Sequence, residues 1–573
     1  MPAAPPARHR RHVRTGLACV LTLGALCGLL GGCGSSGPPP GTSADPALAV
    51  PASAVLYAGA TVRPTGALKK HALALGQVLT HQADPYLRLL AALQAPGSPT
   101  LKFKRDVAPW LGPHAGIFLT SLHASDALPT LLEHGLLGGG SGSAFPFGAG
   151  GAEGALVMDT SNAPKAQSFL DAQAAHAGAH AQSYRGVHYE ASSGGVAFAL
   201  VDRYAVIGSE AAVRSVIETA AGASSLAHAS GYAKLLAAAP PEALAHLYAK
   251  PIAASGAQEG LSGVLQALTG EREANVSLVP AGRSLTLDAD TLASETSGPG
   301  GGLLSADSES ARALEELPGE SWLAIGLGHV GATLSKDAQD IHSLVSLTGT
   351  LGSTTPLAPT SGFGLSSLLE GLTTPLQALG ANTAQAKREF ASWMGSAGIF
   401  ASGASLLELR AAVVFSSTDP AHSQAAVGEL AAALRKLGGS VSPASLPDTD
   451  AAVAARLSGL PLVLYVANGH SSSGQTKFVL GLGEASVAGA LNPPSTLASA
   501  AARTAAAGAL GEGIQPSVML DVPTLLSLFE GVGLLEVPPL SQFVPYLRTA
   551  TTVAGGGRQL GGEVQRFRVT VGL

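Results

Sequence analysis

At Ala155 the chain reads "ALVMD", four apolar residues closed by an acid, and then switches to "NAPKAQSFLDAQAAHA", where Ala166, Phe169, Leu170 and Ala174 recur at three- and four-residue spacing. The first pattern predicts a short strand and the second an amphipathic helix, with Pro164 suited to a first turn in which its missing N–H costs nothing. "SYRGVHYE", "VAFAL" and "YAVIG" follow as three strand-like runs, the last two closing a hairpin around Val201, Asp202 and Arg203. Ser209 stands where a side-chain oxygen caps the next helix, whose Ala212, Val213, Val216 and Ile217 again share one side.

The same order returns later in the chain. "ALVMDTSNAPKAQSF" resembles "AAVVFSSTDPAHSQA" from Ala411, and "RYAVIGSEAAVRSVI" resembles "TKFVLGLGEASVAGAL" from Thr476. Upstream of these, "PASAVLYAGATV" from Pro51 resembles "PGESWLAIGLGHV" from Pro318, and "KRDVAPWLG" (104–112) resembles "KREFASWMG" (387–395), with Trp110 facing Trp393. Asp419 before Pro420 is a sharp helix start in the second copy. "EANVSLVPAGRSLTLDAD" reads as a hairpin ending the first copy, and "GEVQRFRVTVGL" as a closing strand of the second. A self-similar order with drifting spacing predicts repeated folding units separated by loops of variable length. The expected fold is α+β, in two related halves, each a mainly antiparallel sheet with helices packed on one face. The boundaries expected are 51–300 for the first half and 301–573 for its divergent repeat, joined within "TLASETSGPGGGLLSADSES". Glycine-rich inserts at 135–154 and 348–364 carry almost no functional side chains and read as loop expansions.

The N-terminus follows a different rule. Arg8, Arg10, Arg11 and Arg14 precede an apolar run from Leu17 to Leu30, about 14 residues against the roughly 20 a spanning helix needs. That is the charged region and short apolar core of an export signal, expected over residues 1–32. Leu30-Gly31-Gly32-Cys33 resembles the bacterial lipobox, which implies cleavage before Cys33 and acylation of its thiol. Residues 33–50, opening on "CGSSGPPPGTSAD", lack apolar periodicity at first and are expected to be a flexible tether.

Composition sharpens this picture. Cys19, Cys27 and Cys33 are the three cysteines of the 573 residues, so a chain beginning at Cys33 has no internal disulfide and rests on its cores. Loss of the four signal arginines takes the formal net charge from -6 to -10. An acidic surface without a lysine or arginine cluster argues against nucleic acid as a partner and against docking on anionic lipid by charge. At 46% hydrophobic residues the chain has ample material for packed cores despite 72 glycines and 37 prolines.

Set in order behind the lipobox, "LAVPASAVLYAGATVRPTG", "DVAPWLGPHAGIFL", "NAPKAQSFLD", "YRGVHYE" and "DRYAVIGSEAAVRSVIETA" resemble the bacterial envelope proteins grouped as domain-of-unknown-function family 3352. The resemblance covers most of residues 45–250 and, more weakly, the second half, where "PWLG" becomes "SWMG". It implies an extracytoplasmic protein and supplies no catalytic or binding residues.

Candidate chemistry is sparse. "GGSGSA" (139–144) lacks the last glycine of a nucleophile elbow, and glycine-rich "GAGGAEG" lacks the lysine of a phosphate loop. His470 in "NGHSSSG" reads as part of a solvated hairpin turn, since neighbours along a loop do not build a triad. His176 and His180 are spaced for one helix face, yet Gly178 lies between them and His188 falls on another strand, so they read as surface histidines. Asp106 and Glu389 precede the two tryptophans and suit capping or ion pairing with Lys104–Arg105 and Lys387–Arg388, while Trp110 and Trp393 read as packing anchors. No catalytic, cofactor or metal residues are expected, and Cys33 is the expected lipidation site. The expected function is a noncatalytic lipoprotein anchored by lipid to the extracytoplasmic face of the cell membrane, with an envelope protein or component as partner. An apolar-ligand carrier and an extracytoplasmic hydrolase are the alternatives.

Overall fold

The structure is a computed structural model that describes residues 45–80, 93, 100–121, 153–251, 272–292, 308–331, 391–405, 407–436, 438–457, 462–531, 533–536 and 540–573. Cys33, the signal segment, the join at 293–307, Lys387 to Glu389 and nearly all of the two glycine-rich inserts lie outside these residues.

The first ten strands are β1 (Leu56–Thr61), β2 (Leu111–Leu119), β3 (Gly154–Thr160), β4 (His180–Tyr184), β5 (Val187–Ala191), β6 (Val196–Val201), β7 (Tyr204–Ser209), β8 (Ala245–Ala249), β9 (Ala274–Ala281) and β10 (Ser284–Leu292). The last ten are β11 (Leu323–Leu327), β12 (Met394–Ser402), β13 (Arg410–Ser417), β14 (Ser440–Pro443), β15 (Thr449–Arg456), β16 (Leu464–His470), β17 (Thr476–Leu482), β18 (Gln515–Asp521), β19 (Thr552–Gly561) and β20 (Val564–Gly572). Between them come α1 (Gly66–Thr80), α2 (Ala163–His176), α3 (Glu210–Ala220), α4 (Ser230–Ala238), α5 (Ser308–Glu315), α6 (Pro420–Lys436), α7 (Glu484–Leu491), α8 (Ala501–Leu510), α9 (Val522–Gly531) and α10 (Leu540–Leu547).

The local signals act as their chemistry requires. Asn162 accepts the Lys165 N–H at 3.1 Å to cap α2, Ser209 accepts the Ala212 N–H at 3.3 Å to cap α3, and Asp419 accepts the His422 N–H at 3.2 Å to cap α6. "SYRGVHYE" differs from the expectation of one strand. Arg185 and Gly186 both take positive φ, at 50° and 82°, so the chain reverses in a two-residue turn and pairs Tyr184 with Val187.

The strands form one antiparallel sheet, in the order β4-β5-β6-β7-β3-β2-β1-β8-β9-β10 followed by β20-β19-β18-β11-β12-β13-β17-β16-β15-β14. Read outward from the centre, the two series have the same connectivity. Instead of ending on two exposed edges, the closing strands β10 and β20 pair with each other from Ser284↔Gly572 to Leu292↔Val564. This leaves β4 and β14 as the outer strands.

The helix layer expected over the sheet is present. Leu156, Met158, Phe198 and Ile207 pack with Phe169 and Leu170 of α2 in a cluster that also holds Trp110. Their neighbours along the same strands, Ala155, Val157, Ala199 and Val206, pack with Val213, Val216 and Ile217 of α3 in another. Helices therefore cover the opposite face as well, which is why β3 and β7 are buried at every position and read as unbroken apolar runs. The last ten strands repeat this division. Val413, Phe415 and Leu480 join α6 and Trp393, whereas Ala412, Val414 and Val479 join α7.

The seam carries charge on one face. Asp290 and Asp288 stand directly across from Arg566 and Arg568, and Thr286 across from Thr570. Arg566 donates to Asp290 through Nε at 2.7 Å and Nη2 at 2.8 Å, and Arg568 donates to Asp288 through Nε at 2.6 Å and Nη2 at 2.7 Å. A further contact, 3.1 Å from Arg566 Nη1 to Asp288, ties the two pairs together. The same guanidinium groups donate to Ala238 O at the end of α4 and Leu510 O at the end of α8. Each arginine thus meets a carboxylate and the negative end of a helix, Arg566 buried and Arg568 partly so.

Candidate functional site

Besides the seam, two constellations among the described residues bring together polar side chains from different elements. The first lies under the N-terminal turn Pro46–Leu48. Asp45 accepts the Ala47 N–H at 2.9 Å, and Ala47 and Val50 are buried against the sheet, so the expected tether gives way to packed structure by Asp45. Below it the paired glycines Gly59 and Gly116 leave a trough between β1 and β2. A Cβ on Gly116 would come within 2.5 Å of the Tyr57 ring, and one on Gly59 within 2.6 Å of the His246 ring.

Tyr57 and His246 fill the trough, and hydrogen-bonded pairs lie around them. Tyr57 Oη donates to Asp45 Oδ1 at 3.4 Å, Tyr204 Oη donates to Asp45 O at 3.1 Å, and Tyr248 Oη donates to Glu273 at 2.9 Å. Tyr232 Oη and His246 Nε2 are 3.0 Å apart. Burial, then the Asp45 charge, holds the Tyr57 phenol well above its ordinary range, and burial pushes Tyr204 up to about 12. Burial lowers His246 and also His114, against the pull of Asp45. These groups are neutral near pH 7 and serve as hydrogen-bonding core. In the last ten strands the matching pair Gly326↔Gly398 is covered instead by α5, with Ser310 O lying against Gly326.

The second constellation is an open cleft of about 730 Å³ between α6, β15 and the segment joining β14 to β15. Its walls are Ala421, Ala425, Gly428, Ala444, Ala451 and Val453, and its polar groups are Gln424, Ser445, Thr449 and Asp450. The joining segment is tied down at Asp448, which takes φ 59°. Its carbonyl accepts the His470 N–H at 2.9 Å and its carboxylate accepts Asn492 Nδ2 at 2.8 Å. Such a left-handed residue, held by contacts on both sides, gives the wall a defined shape.

Asp450 joins the cleft to His470. The His470 Nε2 lies 2.8 Å from Asp450 Oδ2, and Nδ1 lies 3.3 Å from Thr476 Oγ1. Acid, imidazole and hydroxyl thus form a line, but the acid is the member that lines the cleft, and Thr476 is buried within the β16–β17 hairpin at 9% exposure. A nucleophile needs the reverse arrangement. Among the described residues no group of three or more His, Cys, Asp or Glu is placed to hold a metal ion, and no helix is long and apolar enough to cross a membrane.

The family model described as "Protein of unknown function (DUF3352)" matches residues 90–552. The chain belongs to this family. No curated protein matches it. Among solved structures, crystal form I of TP0453 is similar over 45% of this chain and 82% of that chain, at 9% identity and a TM-score of 0.25, which is too distant to carry an argument.

In this DUF3352 chain the residues singled out in sequence separate cleanly. Trp110 is 1% exposed, its ring 5.0 Å from that of Phe169 and its Nε1 donating to Asp106 O at 2.8 Å. Trp393 is 2% exposed and lies 5.1 Å from the Phe478 ring. Asp106 pairs with Arg105 at 2.5 Å and accepts the Lys102 N–H at 2.7 Å, and the Arg105 hydrogen bond holds its carboxyl below the ordinary range. His176 ends α2, whereas His180 begins β4 and His188 lies on β5, so they share no helix face. Sequence reasoning reached His470 but missed Asp450, which meets it only because β15 pairs with β16. It missed the Tyr57–Tyr232–His246 set for the same reason, β1 and β8 being neighbours in the sheet and remote in the chain.

Proposed function

We propose that this DUF3352 protein is an envelope lipoprotein, held by acyl chains on Cys33 at the extracytoplasmic face of the cell membrane, and that it binds a protein or envelope component without catalysis. Two acyl chains bury enough CH₂ groups for stable anchoring. What supports the reading is a sequence that resembles an export signal and a lipobox, followed by a glycine-, serine- and proline-rich stretch, ahead of a sheet with apolar cores on both faces and an open cleft beside β15. The recurrence of one strand order in each set of ten supports an origin by duplication, with the halves meeting at β10 and β20. The aromatic packing around Trp110 and Trp393 favours binding at the surface over carriage of an apolar ligand inside, because the apolar side chains are spent on each other. The buried position of Thr476 weighs against the hydrolase alternative at the place where an acid and a histidine meet.

Mass analysis of membrane-extracted protein tests the anchor. An acylated Cys33 peptide with residues 1–32 absent is expected, and an unmodified soluble chain that keeps Cys19 refutes it. Crosslinking in the intact envelope followed by partner identification tests the binding role.

A further inference from the structure

The cleft between α6 and β15 has a chemistry that selects among ligands. We infer that it binds a primary ammonium group carried on a slim aliphatic chain, either a free oligoamine or a lysine side chain of a peptide. This deepens the binding role proposed above and rests on it.

Of the groups lining the cleft, Asp450 bears the one formal charge. Its contacts with His470 and Asn468 both fall on Oδ2, at 2.8 and 3.4 Å, and no donor among the described residues reaches Oδ1. One carboxylate oxygen is therefore held in place while the other is available to a ligand donor. Thr449 donates its hydroxyl proton to Leu446 O at 2.7 Å, so its oxygen faces any ligand as an acceptor. Ser445 and the Gln424 amide add further acceptors, and neither side chain has a hydrogen bond among the described residues. An ammonium group has three donors and no acceptor, which matches this set.

The N-terminus of α6 would favour an anion, but Asp419 already neutralises that end. Its carboxylate accepts the His422 N–H at 3.2 Å and contacts the His422 ring at 2.7 Å. The walls decide the shape of the ligand. Methyl groups of Ala421, Ala425, Ala444 and Ala451 flank bare Gly428, at which an added Cβ would have nothing within 4 Å. No aromatic ring lines the cleft to stack on a sugar or a base. A narrow methylene chain fits such walls, with its charge at Asp450.

Calorimetric titration of the full-length protein in non-ionic detergent, at low ionic strength, tests this with two probes: spermidine and the capped tripeptide Ala-Lys-Ala. Saturable binding of at least one is expected, with Asp450→Asn weakening it ten-fold or more and norleucine in place of the lysine abolishing binding of the tripeptide. Gly428→Leu fills the cleft from an exposed helix position and should abolish binding while leaving the melting temperature unchanged or raised. Tighter binding of spermidine identifies a free oligoamine, and tighter binding of the tripeptide identifies a lysine side chain. Failure of both probes to bind, or equal binding by wild type, Asp450→Asn and Gly428→Leu, overturns the inference. Those outcomes leave acylation of Cys33 untouched, because that is read separately by mass.

Discussion

Replacing Asp288 by asparagine probes the seam at its most connected point. The side chain is fully buried and takes contacts from Arg568 Nε and Nη2 and from Arg566 Nη1, at 2.6, 2.7 and 3.1 Å. Asparagine keeps the volume, removes the charge and turns one acceptor into a donor that faces a guanidinium. Arg566 still has Asp290, but Arg568, 23% exposed, loses its carboxylate partner and keeps the Leu510 carbonyl. Breaking a buried pair from one side costs about 3–5 kcal/mol, most of it the uncompensated charge. Urea unfolding should show the free energy of the seam-dependent transition falling by that amount, its midpoint falling by that amount divided by the m-value, and two transitions where β10 and β20 no longer couple the first and last ten strands. The double variant Asp288→Leu with Arg568→Leu removes both charges and should recover most of the loss, since the pair as a whole adds little beyond an apolar equivalent. An Asp288→Asn protein within about 1 kcal/mol of wild type would refute the claim that this cluster holds the seam.

Trp110→Ala and Trp393→Ala should each cost about 3–5 kcal/mol by lost burial and a residual cavity. The two tryptophans lie in different clusters, so their effects should add in the double variant, as read by urea unfolding. The pH dependence follows from the buried histidines. His246 and His114 have folded pKa values lowered by burial, so below the ordinary histidine value the unfolded chain binds protons that the folded chain refuses. Their contribution is complete above about pH 6.5 and is lost as pH falls from there toward the lowered values. Urea midpoints measured from pH 7.5 to 5.5 should fall, and less steeply in His246→Gln; an identical slope in that variant would exclude His246 as the source.

The helices around Phe169 and Val213, the helix starts at Ser209 and Asp419, and the recurring order of elements were all legible in the chain, because caps and periodicity act over three or four neighbours, whereas the Asn162 cap came from the structure. The Arg185–Gly186 reversal was not read from the chain, because "SYRGVHYE" alternates well enough to pass for one strand. Long-range pairing is another matter. Alternation says that β10 and β20 are strands and leaves open which strand each one meets. Only their register puts Asp288 and Asp290 across from Arg568 and Arg566 and makes one sheet of the twenty strands among the described residues.

The sequence by itself determined the α+β character and the roles of Trp110 and Trp393 as core, since each depends on local pattern or on burying a large apolar side chain, and it carries the expectation of an export signal and of lipidation at Cys33. Tertiary structure alone decided that helices cover both faces, that the Gly59–Gly116 trough holds tyrosines and a histidine while Gly326–Gly398 holds a helix, and that Asp450 meets His470 beside a cleft. The physical reason is that a strand's backbone offers the same donors and acceptors to any neighbour. Which neighbour wins is settled by packing summed over the whole sheet, and a site built from side chains on different strands exists only after that choice is made.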